Sequence, residues 1–268
     1  MLILPDEIGL CLVGSEMCIR DSDIGLGTIS ISLFVTITSP GVIYKNLIIV
    51  GSSVSEGNPA AKGNIRAFDA NTGDLKWSFN TIPEIGEDGH ETYSDPDAYK
   101  RLGGANAWSG LTLDEERGIL YAPTGSVSYD FYGGDRVGDN LFANSIIALS
   151  AETGNKIWHF QTVHHDVWDR DLPAPPILFD YSMNDSIIPS LAQVTKSGYI
   201  YLLNRITGKP LYKIIERPVP SKSNLEGEVL SKTQPIPSFP DPFSRQSLTK
   251  NDINSVSYTH LTLPTIRS

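Results

Sequence analysis

Apolar residues along this chain recur at every second position in short runs, and the runs are separated by Gly, Pro, Asn and Asp. That period places alternate side chains on one face of an extended backbone and predicts strands rather than helices. The clearest run occurs three times: residues 63–77, 144–158 and 198–212 align without gaps over most of their length. Each copy carries alternating apolar positions (Ile65 and Ala67; Ile146 and Ala148; Ile200 and Leu202), then a Thr-Gly pair (Thr72-Gly73, Thr153-Gly154, Thr207-Gly208). An aromatic residue closes each copy four positions after the glycine: Trp77, Trp158 and Tyr212. The unit reads as a β-hairpin whose glycine takes the positive φ of a tight turn. Its aromatic is expected to pack against the neighbouring unit. Further strand signals precede the copies at 47–52, 119–123 and 191–195, and another strand is expected over 28–38. Four strands per unit, stacked face to face, is the pattern of a propeller blade. A β-sandwich also has hairpins, but it does not repeat an aromatic in register.

Composition narrows the class. With 268 residues, 40% hydrophobic and 19% charged, the chain has the make-up of a globular protein of one large or two modest domains. A formal net charge of -10 repels nucleic acid and anionic membrane surfaces, so neither is expected as a partner. No run approaches the roughly 18 apolar residues needed to cross a bilayer. Both cysteines, Cys11 and Cys18, lie in a first segment (1–22) that resembles a translated sequencing adapter, as does the last segment (254–268). Both are expected to be non-native, which leaves 23–253 as one cysteine-free domain.

The residues with chemical potential fall between the strands. His164-His165-Asp166-Val167-Trp168-Asp169-Arg170-Asp171 packs two His and three Asp into eight residues. Read alone, it is a metal site, an acid–base cluster or a solvated acidic loop. Lys196 sits between two strand signals, where a surface charge is the ordinary reading. Trp108, in Ala105-Asn106-Ala107-Trp108-Ser109-Gly110, reads as a core tryptophan, and Glu56 as a carboxylate at a strand end. No Gly-rich phosphate loop, Ser-His-Asp spacing or Cys/His zinc pattern occurs. No G-x-G-x-x-G turn supports a nicotinamide cofactor.

Ala67-Phe68-Asp69-x-x-Thr72-Gly73-x-x-x-Trp77 resembles the tryptophan-docking repeat of pyrroloquinoline quinone (PQQ)-dependent dehydrogenases, a family of eight-bladed propellers. The resemblance covers roughly 23–250 and leans to the membrane-type quinoprotein glucose dehydrogenases. It implies an all-β, partial β-propeller of about three four-stranded blades, an internal fragment that is inactive and does not fold stably alone. His-His-Asp-x-Trp-Asp-x-Asp is similar to the signature of the sugar-oxidising members. On that resemblance Asp169 is the general base and a metal ligand. Lys196, 27 residues later, bonds the quinone oxygens. Trp108 is the floor under the flat cofactor, and Glu56 binds cofactor and metal, Ca²⁺ or Mg²⁺. Asp166 and Asp171 hold the loop, His164 and His165 line or brace the pocket, and Asp130–Arg136 forms a wall near the substrate. One departure is visible: many relatives supply an Asn as a further metal ligand where this chain has Ser126. The implied reaction is oxidation of a glucose-type aldose by general-base-assisted hydride transfer to the quinone, with electrons passing to a membrane quinone. The implied location is the periplasm, with any membrane anchor in regions outside this chain. A quinoprotein alcohol dehydrogenase is the nearest alternative, although those relatives commonly carry a vicinal cysteine pair that 23–253 lacks. A non-enzymatic scaffold needs the repeat but not Asp169, Lys196 and Trp108 at matching places.

Overall fold

The computed structural model describes residues 11–13, 16–19, 35–183, 185–247, 249 and 252. The adapter-like ends therefore lie outside the described residues, apart from the strands Cys11–Val13 and Glu16–Ile19. The strand expected over 28–38 is described only from residue 35, where Val35–Ile37 is extended. It lies between Glu16–Ile19 and Ser53–Val54 in a small sheet.

The three repeats form three successive antiparallel sheets. The first blade is Val42–Tyr44, Leu47–Val50, Ile65–Asp69 and Leu75–Phe79, and the second is Thr112–Asp114, Ile119–Pro123, Ser145–Ser150 and Lys156–Gln161. The third, Ile177–Met183, Ser186–Val194 and Ile200–Asn204, falls one strand short of the expected four. Its return segment starts to pair, with Leu211 N donating to Leu202 O at 2.9 Å and a bridge between Leu203 and Pro210. Pro210 has no N–H to give the ladder. From Ile214 the chain pairs instead with Thr233–Pro237 as a separate ribbon.

Face-to-face stacking follows from the side-chain period. In the second blade both faces are apolar, so every residue of Ile119–Pro123 is buried. Leu120, Ala122, Ile147 and Leu149 face the first blade and pack with Ile49, Ile65 and Ala67. Ile119, Tyr121, Ile146 and Ala148 face the third and pack with Leu191 and Leu203. Each fully buried aliphatic side chain contributes about 1.5–3 kcal/mol.

The turn of each repeat is built the same way. Asp69, Ser150 and Asn204 each accept a hydrogen bond from the backbone N–H three residues ahead, and the glycines that follow have φ of 79°, 73° and 71°. The aromatics then dock on the next blade's turn. The Trp77 ring lies over Gly154, where a Cβ would stand 2.6 Å from it, and Trp158 covers Gly208 at 2.7 Å. Their indole N–H groups donate to Ala151 O at 3.3 Å and Arg205 O at 3.0 Å. Tyr212 packs at a tilt against Phe239, with ring centroids 4.5 Å apart, instead of on a Thr-Gly turn. A buried ion pair between Arg205 Nε and Asp114 Oδ2, 2.9 Å apart, ties the second blade to the third. Nothing in the sequence pattern pointed to it.

Candidate active site

In an antiparallel meander the ends of the second and fourth strands share one edge. That edge of the blades opens into a cavity of about 190 Å³. The second strands deliver three segments to it: Glu56 follows Leu47–Val50, Ser126 to Asp130 follow Ile119–Pro123, and Lys196 follows Ser186–Val194. The connections between blades deliver Trp108 and Asp171.

Trp108 is placed by close backbone approach. A Cβ on Gly51 would lie 2.0 Å from Ala107 O, so only glycine lets the Trp108 loop lie on the first blade. Asn106 Nδ2 donates to Ser52 O at 2.9 Å and pins the same loop. The Trp108 indole N–H donates to Asp171 Oδ2 at 2.9 Å, and Lys196 Nζ lies 5.8 Å from the indole centroid. Lys196 Nζ pairs with Asp169 Oδ1 at 2.7 Å and lies 3.7 Å from Asp171 Oδ2. Asp169, Lys196 and Trp108 are thus brought together. Lys196 and Trp108 line the cavity, while Asp169 adjoins it through its bond to Lys196. Asp169 holds a left-handed backbone with φ of 52°, which costs an L-residue about 1–2 kcal/mol and fixes where its carboxylate points.

The acidic loop is locked by Asp166. Its carboxylate accepts from Ser126 Oγ (2.6 Å), Asn144 Nδ2 (3.0 Å), Trp168 N (2.9 Å) and Arg170 N (2.5 Å). Buried Arg136 donates to Asp166 O at 2.5 Å from behind. Asp171 accepts from Ser126 N at 2.7 Å as well as from Trp108. Sequence reasoning missed Arg136 and Asn144 as loop supports, because neither lies near the loop in the chain. The histidines brace and do not line. His164 bonds Gln161 Oε1 at 2.6 Å and Glu216 Oε1 at 3.3 Å, on the side of the ribbon. His165 is buried with Nδ1 at 2.7 Å from Gly138 O, and burial and the Arg136 charge lower its pKa. Of the wall segment, Asp130 lines the cavity, whereas Phe131 is exposed.

Burial pushes the Asp130 carboxyl up to about 7, helped by the charges of Asp171, Glu56 and Asp169 and opposed by Arg136. Burial also raises Asp171, against the pull of Lys196. Burial alone would lower Lys196, but the Asp169 hydrogen bond and the charges of Asp171, Asp169 and Asp130 outweigh it, so its pKa is raised. Lys196 is therefore a fixed cation among carboxylates. Among the described residues no three His, Cys, Asp or Glu side chains are grouped to hold a metal by themselves. Glu56 stands exposed at the lip of the cavity.

Residues 22–263 match the family described as the β-propeller domain of PQQ glucose/ethanol/alcohol dehydrogenases. The chain belongs to this PQQ-dependent dehydrogenase family. It is 38% identical over 222 residues to a quinate/shikimate dehydrogenase (quinone) of Acinetobacter baylyi, matching 81% of this chain and 27% of that protein. To quinoprotein glucose dehydrogenase A of Acinetobacter calcoaceticus it is 36% identical, over 74% of this chain and 25% of the relative. The crystal structure of the quinohemoprotein alcohol dehydrogenase of Comamonas testosteroni superposes with a TM-score of 0.61 at 29% identity, covering 76% of this chain and 31% of that one. The chain thus spans about a quarter of the length of these curated relatives. The three sheets are a partial propeller of this family.

Proposed function

We propose that this chain forms the cofactor-facing part of a PQQ-dependent dehydrogenase that oxidises a hydroxyl of a glucose-type aldose, with Asp169 as the general base. The observation that carries the reading is the meeting of the Lys196–Asp169 pair with the Trp108 indole at one cavity.

The donor set fits the cofactor. A flat quinone needs an aromatic face and a cation near its oxygens, which Trp108 and Lys196 offer. Glu56, Asp130, Asp169 and Asp171 place four carboxylates against the single ammonium of Lys196, a surplus of negative charge suited to a divalent cation. When bound, PQQ supplies a two-electron acceptor and the cation polarises it. Trp108 and Lys196 orient the acceptor. Asp169 Oδ1 is held by Lys196, and among the described residues no donor bonds its other oxygen, which is free to take the substrate proton. Asp166 and Arg136 keep the loop that carries Asp169 rigid.

An aldose is supported by the likeness to a glucose dehydrogenase and by the His-His-Asp-x-Trp-Asp stretch. Oxidation of a simple alcohol is the second reading, favoured by the superposition on an alcohol dehydrogenase. A quinone as electron acceptor is supported by the quinone in the printed name of the quinate relative, and a membrane quinone met at the periplasmic face is part of the same proposal. No helix of the described residues is long and apolar enough to cross a membrane.

The test is PQQ-dependent dye reduction by the full-length protein that carries this chain, assayed with aldoses, quinate, glycerol and simple alcohols. An aldose is expected to show the highest kcat/KM, and preference for an alcohol replaces the sugar reading. Asp169→Asn is expected to lower turnover by about 10²–10⁴-fold with PQQ still bound. Sugar oxidation at the wild-type rate removes Asp169 from the role of base. Lys196→Ala is expected to weaken PQQ binding.

A further inference from the structure

Asp130 is a buried carboxylate for which the fold supplies no partner. It is 7% exposed and lines the cavity, yet among the described residues no hydrogen bond or ion pair reaches its oxygens. Each of its acidic neighbours is provided for. Asp171 takes the Trp108 and Ser126 N–H groups, Asp169 takes Lys196, Asp166 takes four donors, and Glu56 reaches solvent. Arg136 attracts Asp130, but its Nη atoms donate to Asn140, Tyr129 O and Asp166 O. With no partner among the described residues, the Asp130 carboxylate is left to whatever occupies the cavity it lines.

The surroundings select the charge of that occupant. Asp171, Glu56 and Asp169 all repel a further anion at Asp130. The same wall presents the hydroxyls of Ser55 and Ser128 and the amide of Asn106, a set of oxygens with no thiol or imidazole. Hard oxygen donors of this kind suit Ca²⁺ or Mg²⁺. Two side chains expected elsewhere at a metal are already engaged: Ser126 Oγ donates to Asp166 at 2.6 Å, and Asp169 is paired to Lys196.

We propose that Asp130, together with Glu56, ligates a divalent cation of the Ca²⁺ or Mg²⁺ type at this cavity, filling the place that Ser126 leaves open. This deepens the PQQ-dependent reading and rests on it for the remaining ligands. Two carboxylates do not complete the six to eight oxygens that Ca²⁺ takes, so water and the bound cofactor supply the rest. The cation therefore binds weakly to the protein alone and more tightly beside the cofactor.

The experiment measures cation binding to the full-length protein without PQQ or substrate, so its outcome is independent of turnover. Tb³⁺ is used as a luminescent probe, sensitised by the tryptophans and displaced by Ca²⁺. Asp130→Asn is expected to weaken Ca²⁺ displacement by about tenfold or more, a loss of about 1.4 kcal/mol. Asp135→Asn, which removes an exposed carboxylate from the same loop, is expected to leave it unchanged. Wild-type affinity in Asp130→Asn, or an equal loss in Asp135→Asn, overturns the assignment. Should Asp130→Asn fail to fold, Asp130→Glu keeps the charge and moves the oxygens by one methylene. It is expected to alter the preference for Ca²⁺ over Mg²⁺, and an unaltered preference also overturns the assignment. Absence of PQQ-dependent dye reduction, by contrast, would sink the cofactor reading and leave the cation result intact.

Discussion

The two edges of the blades follow opposite rules. At the outer edge the Thr-Gly turn is built three times from the same local parts: an Asp, Ser or Asn oxygen accepting from the backbone just ahead, and a glycine with φ between 71° and 79°. At the cavity edge the corresponding strand ends lead to unlike residues, Glu56, Ser126 and Lys196, and the partners of Ser126 and Lys196 come from afar. Ser126 meets Asp166 across 40 residues, and Trp108 meets Asp171 across 63. The contrast teaches where selection for architecture and for chemistry can act separately. Turns that form from neighbours in the chain can be copied, while loops held by distant contacts are free to differ from blade to blade.

The largest expected effect lies at the cavity edge. Asp166→Ala leaves the Ser126, Asn144, Trp168 and Arg170 donors without their acceptor, and is expected to cost on the order of 3–5 kcal/mol in urea unfolding. Turnover should fall with it, since the Asp169 segment loses its anchor. A cost below about 1 kcal/mol would mean that the loop is held locally, as the outer turns are.

The next effect divides the outer turns among themselves. Gly73 and Gly154 both need a left-handed backbone, but a Cβ on Gly73 meets nothing within 4 Å, whereas one on Gly154 would stand 2.6 Å from Trp77. Gly73→Ala is expected to cost about 1–2 kcal/mol, and Gly154→Ala about 1–3 kcal/mol more. Equal costs would show that docking of Trp77 does not depend on close approach.

The last effect is a pH dependence at Asp130. Its folded pKa of about 7 lies above the usual carboxyl value of 3.8, so between those values the folded state binds more protons than the unfolded one. Its relative contribution to stability is complete below about pH 4, shrinks as pH rises and is gone above about 7. In chelator, Asp130→Asn is therefore expected to gain stability over wild type at pH 8 and not at pH 4. A difference independent of pH would show that Asp130 has a partner within the protein. Ca²⁺ should reduce the difference at pH 8.

The hairpins, their glycines and the docking of Trp77 and Trp158 were legible in the sequence, because each depends on a period of two or on residues within one turn. Trp108, Asp169 and Lys196 are singled out by the family resemblance, and the structure brings the three side chains together at one cavity. What the pattern could not tell was decided by long-range packing. The third blade lost its fourth strand because Pro210 cannot feed the ladder and the following segment found another partner at Thr233–Pro237. The two histidines were drawn away from the cavity by Glu216 and Gly138, residues that no spacing rule connects to them. Asp130 reads as part of a wall near the substrate, and only the approach of Trp108, Asp171 and Lys196 makes it the lining of a shared cavity. Local chemistry sets the backbone of each blade; burial and charge are properties of a place, and that place exists only after distant segments meet.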